Sequence, residues 1–444
     1  MKLINDAPFF NIFCVSILLF IGYNCTQVQA EIPTRSANLV TDFSGIKNTM
    51  PGRESEGFVP PTDDELANWR IVIQTMLAED WDGAHALIQQ NFPMYSLFRY
   101  TDTGNADSVY YLLKENSPVN KGWGTYVFAK GYQRQLVIEA PHPWYDTNTY
   151  KQAPDVFRLT GARYLIMAGT HRCANNEISG CDGTSGSCGG PYKISDMAHS
   201  VHTFFHVTHE EIVAFNARTY QVQLHGHSQS TCEDIFLSNG HRTSVSDELL
   251  ALRDQVLLKG GLTCNVAGLS QCGLVASSNV QGRYTNGVKS DPCNTYASSG
   301  NITEYFIHAE QTRTVRDNPG QYKKFTDALN TVIPLAANQT AVHSDNAKEP
   351  AKSFRLLNAY PNPFNPATTI TFELQQPVTV SLQIYNEKGQ RIRELVRDKI
   401  LSPGSHSYVW NGRKNDGEVV ASGLYLVQLN AGHFQETKKV TFAK

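Results

Sequence analysis

The chain has no surplus of charge of either sign. Lys and Arg number 38 against 41 Asp and Glu in 444 residues, a net charge of −3. A surface that grips nucleic acid or anionic lipid needs a basic excess, so both classes of partner are excluded. Charged residues reach only 18%, below the roughly 25% of an average soluble protein, while 41% hydrophobic residues suffice for packed cores. No Cys-x-x-Cys pair occurs, which argues against a zinc site built on thiolates. Long apolar runs are scarce too. The one at 9–23 is shorter than the roughly 20 residues a bilayer span needs.

That single run follows Lys2 and gives way to polar residues and Val28-Gln29-Ala30 before Glu31. A basic start, a short apolar stretch and a small-x-small site predict a cleaved export signal over 1–30. The mature chain then has no transmembrane segment. Cleavage removes Cys14 and Cys25 and leaves Cys173, Cys181, Cys188, Cys232, Cys264, Cys272 and Cys293. In an exported protein these predict three disulfides and one free thiol, with the pairing open.

What the chain does have is unevenly spread. Ten of its 14 histidines fall between His142 and His308, and seven of its nine cysteines between Cys173 and Cys293. Residues 31–60, rich in small and turn-forming types, read as an extended arm. Thr62-Asp-Asp-Glu65 is a capping box, followed by Leu66, Trp69, Ile73 and Met76 at helical spacing. Strand-like runs at 109–113 and 124–128 come next. From about 135, apolar runs at 135–139, 163–168, 220–224 and 304–308 alternate with helix-length segments. This pattern predicts an α/β domain over 61–334, a mixed sheet with helices on both faces. A last helix is expected over 320–333. Residues 335–353 lose periodicity and read as a linker, and 354–444, with alternating strands and turn signals, as a β-sandwich of immunoglobulin-like type.

In an open α/β sheet, ligands gather beyond the carboxyl ends of the strands. Following the four apolar runs stand His142 and Asp146; His171, Arg172 and Asn175; His225 and His227; and His308, Glu310, Arg313 and Arg316. Two imidazoles and a carboxylate with an open position make a common hydrolytic zinc site. His142, Asp146 and His225 supply that set, with His227 the alternative to His225. A further carboxylate must shuttle protons, and Glu310 is the candidate. Arg172 and Arg313 could fork a substrate carboxylate, and Asn279 could donate to the same ligand. Other residues have plainer readings. Asp146 could cap a helix over 147–157; Asp196 and His199 could orient ligands, but Asp196 reads more simply as a cap; His171 and Arg172 could support the site from behind. His202, His206 and His209 read as a packed or solvated helix face. The segment 173–188 reads as a stapled loop beside the site.

Two resemblances sharpen these expectations. Tyr360-Pro-Asn-Pro-Phe-Asn-Pro366, Trp410-Asn-Gly, Ala421-Ser-Gly-Leu-Tyr425 and the ending Lys438-Lys-Val-Thr-Phe-Ala-Lys444 resemble the C-terminal sorting domain of the type IX secretion system. This implies a bacterial chain, secreted or held at the cell surface, whose sandwich is an address read by that machinery. Pro141-His142, His225-Gly226 and His308-Ala-Glu310 resemble the corresponding segments of zinc-dependent amidohydrolases of the carboxypeptidase-like fold, including the N-formylglutamate amidohydrolase and poly-γ-glutamate hydrolase families. The family's first loop often carries Glu where this chain has Asp146. The resemblance implies zinc, a small peptide or acyl-amino-acid substrate and amide hydrolysis. A non-catalytic binding protein on the same fold, or a metal-dependent esterase or phosphoesterase, are the alternatives.

Overall fold

The computed structural model describes residues 31–336 and, apart from short gaps, 354–443. The expected signal at 1–30 and most of the expected linker lie outside the described residues. The chain divides into two compact units, Met1–Val342 and His343–Lys444, and among the described residues no helix is long and apolar enough to cross a membrane.

The first unit is built on a ten-stranded sheet. Its strands are β1 (Thr34–Ala37), β2 (Tyr95–Asp102), β3 (Ser108–Glu115), β4 (Thr125–Ala129), β5 (Arg134–Ala140), β6 (Ala162–Met167), β9 (Tyr220–Gly226), β10 (Ile235–Ser238), β11 (Cys264–Val266) and β12 (Phe306–Gln311); β7 (Thr184–Ser185) and β8 (Gly190–Pro191) form a separate small hairpin. The spatial order is β1-β2-β3-β4-β6-β5-β9-β12-β10-β11. At the centre, β6, β5, β9 and β12 run parallel, flanked by antiparallel β4 and β10. The four apolar runs read from sequence therefore end at one common edge. The chain turns outward in opposite directions from β5, toward β6 on one side and β9 on the other, which is the crevice where such sheets bind ligands.

Helices α1 (Leu39–Lys47), α2 (Asp63–Leu77), α3 (Trp81–Asn91), α4 (Thr149–Thr160), α5 (Phe204–Phe215), α6 (Asp247–Leu258), α7 (Val280–Thr285), α8 (Arg313–Arg316) and α9 (Pro319–Val332) complete the unit. Leu39 and Phe43 of α1, Val156 and Phe157 of α4, Leu252 of α6 and Phe325 and Leu329 of α9 pack one face of the sheet, against Ile138, Val222, Leu224, Ile307 and Ala309. Trp69 of α2, Ile88 of α3 and Phe204 of α5 pack the other, against Leu113, Tyr126 and Ile166. On that second face the central strands turn polar. Register pairs Glu139 with Gln223, Gln223 with His308 and His225 with Glu310, so all five side chains share it, and all five are buried.

Local chemistry explains most boundaries. Thr62 and Glu65 form the reciprocal capping box that starts α2. The segment read as an extended arm holds β1 and α1 instead: β1 adds in parallel to β2, and Asn38 caps α1. Leu39 and Phe43 anchor that helix with help from the half-buried Ile46, too few to stand out among Ser, Thr and Gly.

The second unit is a β-sandwich. β13 (Phe354–Leu356), β14 (Thr368–Leu374) and β17 (Gly404–Trp410) form one sheet, and β15 (Val378–Asn386), β16 (Arg391–Leu401), β18 (Gly423–Ala431) and β19 (Phe434–Phe442) the other. Among the described residues, the pairings between these strands are antiparallel, and alternate residues such as Ile370, Leu382, Trp410, Val427 and Val440 fill the core.

Candidate metal centre

At the end of β5, Pro141 leads into a single turn in which the Asp146 N–H donates to the His142 carbonyl at 2.9 Å. The turn brings both side chains to one side, facing His225 at the end of β9. The Asp146 Oδ2 lies 3.3 Å from His142 Nδ1 and 3.4 Å from His225 Nδ1. The other ring nitrogens are committed. His142 Nε2 lies 2.7 Å from Asp196 Oδ1, and His225 Nε2 lies 2.7 Å from the carboxamide oxygen of Gln223. Both partners accept, so both imidazoles donate from Nε2. Two Nδ1 lone pairs and a carboxylate oxygen then converge on one buried spot, which repels itself unless a cation sits there. Donor atoms at zinc distances of about 2.0–2.2 Å in four-fold coordination stand about 3.3–3.6 Å apart. The observed spacing fits that description better than it fits hydrogen bonds.

Burial works against the Asp146 charge, but its two imidazole neighbours, His142 and His225, outweigh it and hold its pKa below the usual carboxylate range. Burial pushes His225 down to about 4, a neutral ligand at ordinary pH. Burial and Arg172 oppose protonation of His142, and Asp196 and Asp146 outweigh them, so its pKa is raised. Beside this group, Glu310 is the register partner of His225. Burial and the Asp146 charge push its carboxyl up to about 8, against the pull of Arg172 and Arg316. Glu310 Oε2 and His308 Nδ1 are buried without a hydrogen-bond partner, and His308 Nε2 lies 3.5 Å from Glu310 Oε1. Two overlapping groups, His142/Asp196/His199 and His225/His308/Glu310, also have ligand-like spacing. Each shares an imidazole with the first, and in the former Asp196 is already neutralised by Arg172.

The residues expected to hold substrate sit elsewhere or are engaged. Arg172 is buried and gives Nε and Nη2 to Asp196 Oδ2 at 3.0 and 2.5 Å, with its guanidinium 5.3 Å from the Tyr145 ring centre; it braces a carboxylate of the protein itself. Asn279 caps α7 through Gly282 N–H and donates to Gln223. Arg313 is 63% exposed and pairs with Asp317. The buried guanidinium is Arg316, which binds the carbonyls of Gln311 and Thr147 and fills the space where a side chain at Gly226 would stand. His227 bonds the Glu233 carbonyl, so His225 alone of the two stands by Asp146. His171 accepts from Cys173 N–H. Asp146 does not cap α4, whose first cap position is Asn148. His206 and His209 are buried on α5, whereas His202 precedes that helix.

Sequence reasoning ranked Asp196 as a cap ahead of its other reading, a group that orients a ligand, and missed Gln223 altogether. A signal for the latter existed. Gln221, Gln223 and His225 alternate with Val222 and Leu224 in a strand buried on both faces, and polar side chains there must find partners. The stapled loop is present: Cys173–Cys188, Cys181–Cys293 and Cys232–Cys272 are bridged, leaving Cys264 free and buried. The buried Arg283 grips Asp182 and the Cys293 carbonyl next to the second bridge.

Against known proteins, residues 360–433 match the family model of the FlgD Ig-like domain. No curated protein matches the chain. Among solved structures, N-formylglutamate amidohydrolase from Ralstonia eutropha JMP134 is similar at 12% identity and TM-score 0.29, over 48% of this chain and 97% of that one. A bacteriophage poly-γ-glutamate hydrolase is similar at 15% identity and TM-score 0.27, over 47% and 87%. PorZ of Porphyromonas gingivalis, a surface component of the type IX secretion system, is similar at 23% identity and TM-score 0.16, over 20% of this chain and only 11% of PorZ.

Proposed function

We propose that the chain is an exported, zinc-dependent hydrolase of amide bonds, acting on a small peptide or an acyl-amino acid. The observation that carries this reading is the convergence of His142 Nδ1, Asp146 Oδ2 and His225 Nδ1 at 3.3 and 3.4 Å, with each imidazole anchored through its other nitrogen. Zinc bound there would polarise a carbonyl and make a water nucleophilic near neutral pH. The chain's own residues do the rest. Asp146 contributes the negative charge, and Asp196 fixes the His142 ring. Glu310, on the neighbouring strand, whose raised pKa a cation beside it would bring back down, accepts the proton of the attacking water and returns it to the leaving nitrogen. Arg172 keeps Asp196 ionised, which leaves recognition of a substrate carboxylate to other groups.

Export is part of the proposal. Three disulfides suit an oxidising compartment, and the sandwich is read as a type IX sorting domain, following the leader at 1–30 and the linker at 335–353. Deleting 354–444 should trap the protein inside a bacterium that has this system; undiminished secretion would refute the address. For the activity, the mature protein is reconstituted with zinc, dialysed and analysed for metal, then assayed on N-acyl amino acids and dipeptides. One zinc per chain with amide turnover is expected, and absence of bound metal would overturn the reading.

A further inference from the structure

We infer that Gln223 is a positioning residue: its carboxamide oxygen holds the Nε2–H of His225 and so presents the Nδ1 of that ring to a metal ion. The inference rests on the metal centre proposed above.

The direction of the Gln223 amide is over-determined by its neighbours. An amide can be rotated end for end, and its direction is known only from its partners. Here all of them agree. The Gln223 Nε2 donates to Glu139 Oε2 at 2.9 Å and approaches Gln281 Oε1 at 3.4 Å. The other Glu139 oxygen faces His209 Nδ1 at 2.7 Å, so Oε2 is left to accept from the amide. The amide nitrogen must therefore face Glu139, which leaves the oxygen facing His225. That oxygen receives Asn279 Nδ2 at 2.5 Å and His225 Nε2 at 2.7 Å. A rotated Gln223 would set its NH2 against the Asn279 donor and its oxygen against a carboxylate. With the amide locked, His225 donates from Nε2, and only Nδ1 is free to bind metal. Partners of this kind, behind a metal-binding imidazole, are worth about 10–100-fold in metal affinity. The two ligands are thus backed differently: His142 by a carboxylate, His225 by a neutral amide.

The test compares Gln223→Glu with Gln223→Met in the full chain, reading zinc affinity by chelator competition at pH 8. Both variants lose the donor to Glu139, but only Glu keeps an acceptor for His225. A fall of about 10–100-fold in Gln223→Met, with Gln223→Glu much closer to wild type, supports the inference. Equal falls would reduce Gln223 to a strut for Glu139, and no change in either would remove its role; both overturn the inference. Should neither variant fold, the zinc-loaded wild type decides through its histidine nitrogen resonances. A retained Nε2 proton on His225 supports the inference, and zinc on Nε2 overturns it. A wild type that binds no zinc fails the proposed function itself, a result separate from all of these.

Discussion

On one face of β5, β9 and β12 stand Ile138, Val222, Leu224, Ile307 and Ala309, packed under α4 and α9; on the other, one residue along, stand Glu139, Gln223, His225, His308 and Glu310. The backbone is shared and the burial is equal, but the two faces are held by different physics. The apolar face gains from area removed from water, which is non-directional and survives small changes of shape. The polar face gains little net energy from its hydrogen bonds and loses heavily if one partner is missing. Such a face stays in place only when nearly every atom is matched, and its unmatched atoms are informative. Here they include Glu310 Oε2 and His308 Nδ1, next to the convergent donors.

The comparison can be broken from the polar side first. His142→Ala, or removal of metal from the wild type, should lower amide turnover by more than about 1,000-fold while the far-ultraviolet circular dichroism is kept. Glu310→Gln should retain zinc and lose about 100- to 10,000-fold in kcat. From the apolar side, Phe325→Ala should cost about 3–5 kcal/mol of stability in denaturant titration yet leave kcat per folded molecule close to wild type. If Phe325→Ala abolished turnover at temperatures where the chain is folded, the two faces would not be separable.

A smaller effect lies on α5. Burial opposes the charge of Glu210, but His206 and Arg70 hold its pKa down at about 2. The folded pKa is below the unfolded one of about 4.5, so the unfolded chain takes up the proton first as pH falls. The contribution is present above pH 4.5 and lost between about 4.5 and 2. Glu210→Gln should flatten that acid limb by about 1–3 kcal/mol, measured as unfolding free energy against pH. The smallest effect is expected at Arg313. Its exposed pair with Asp317 predicts a change within about 0.5 kcal/mol for Arg313→Ala, and unchanged kinetics.

Much of this architecture was legible because strands and their ends obey simple rules. The apolar runs at 135–139 and 220–224 marked the central strands, and the rule that ligands gather beyond carboxyl ends pointed to His142, Asp146, His225 and Glu310. Residues that enter from elsewhere were only partly legible: Asp196 could be read as an orienting group, but its partners could not. Asp196 comes from an irregular segment, and its partners Arg172 and His142 are 24 and 54 residues away, a distance no local pattern encodes. Arg313 and Arg316 look alike in sequence, but α8 turns the first to solvent and the second inward. The small helix α1 was hidden because its few apolar anchors are diluted by polar neighbours.

The bridge from Cys181 to Cys293 closes a covalent ring over 112 residues. By the loop-closure estimate it restricts the unfolded chain enough to add about 5 kcal/mol of stability. Its topology matters as much. The ring encloses β9 with His225, together with the smaller Cys232–Cys272 ring, whereas His142 and Glu310 enter from the two strands outside it. A protease that cuts once between 182 and 292 therefore severs no fragment. Both ends remain tied, and the three groups of the centre stay on one molecule after a single cut.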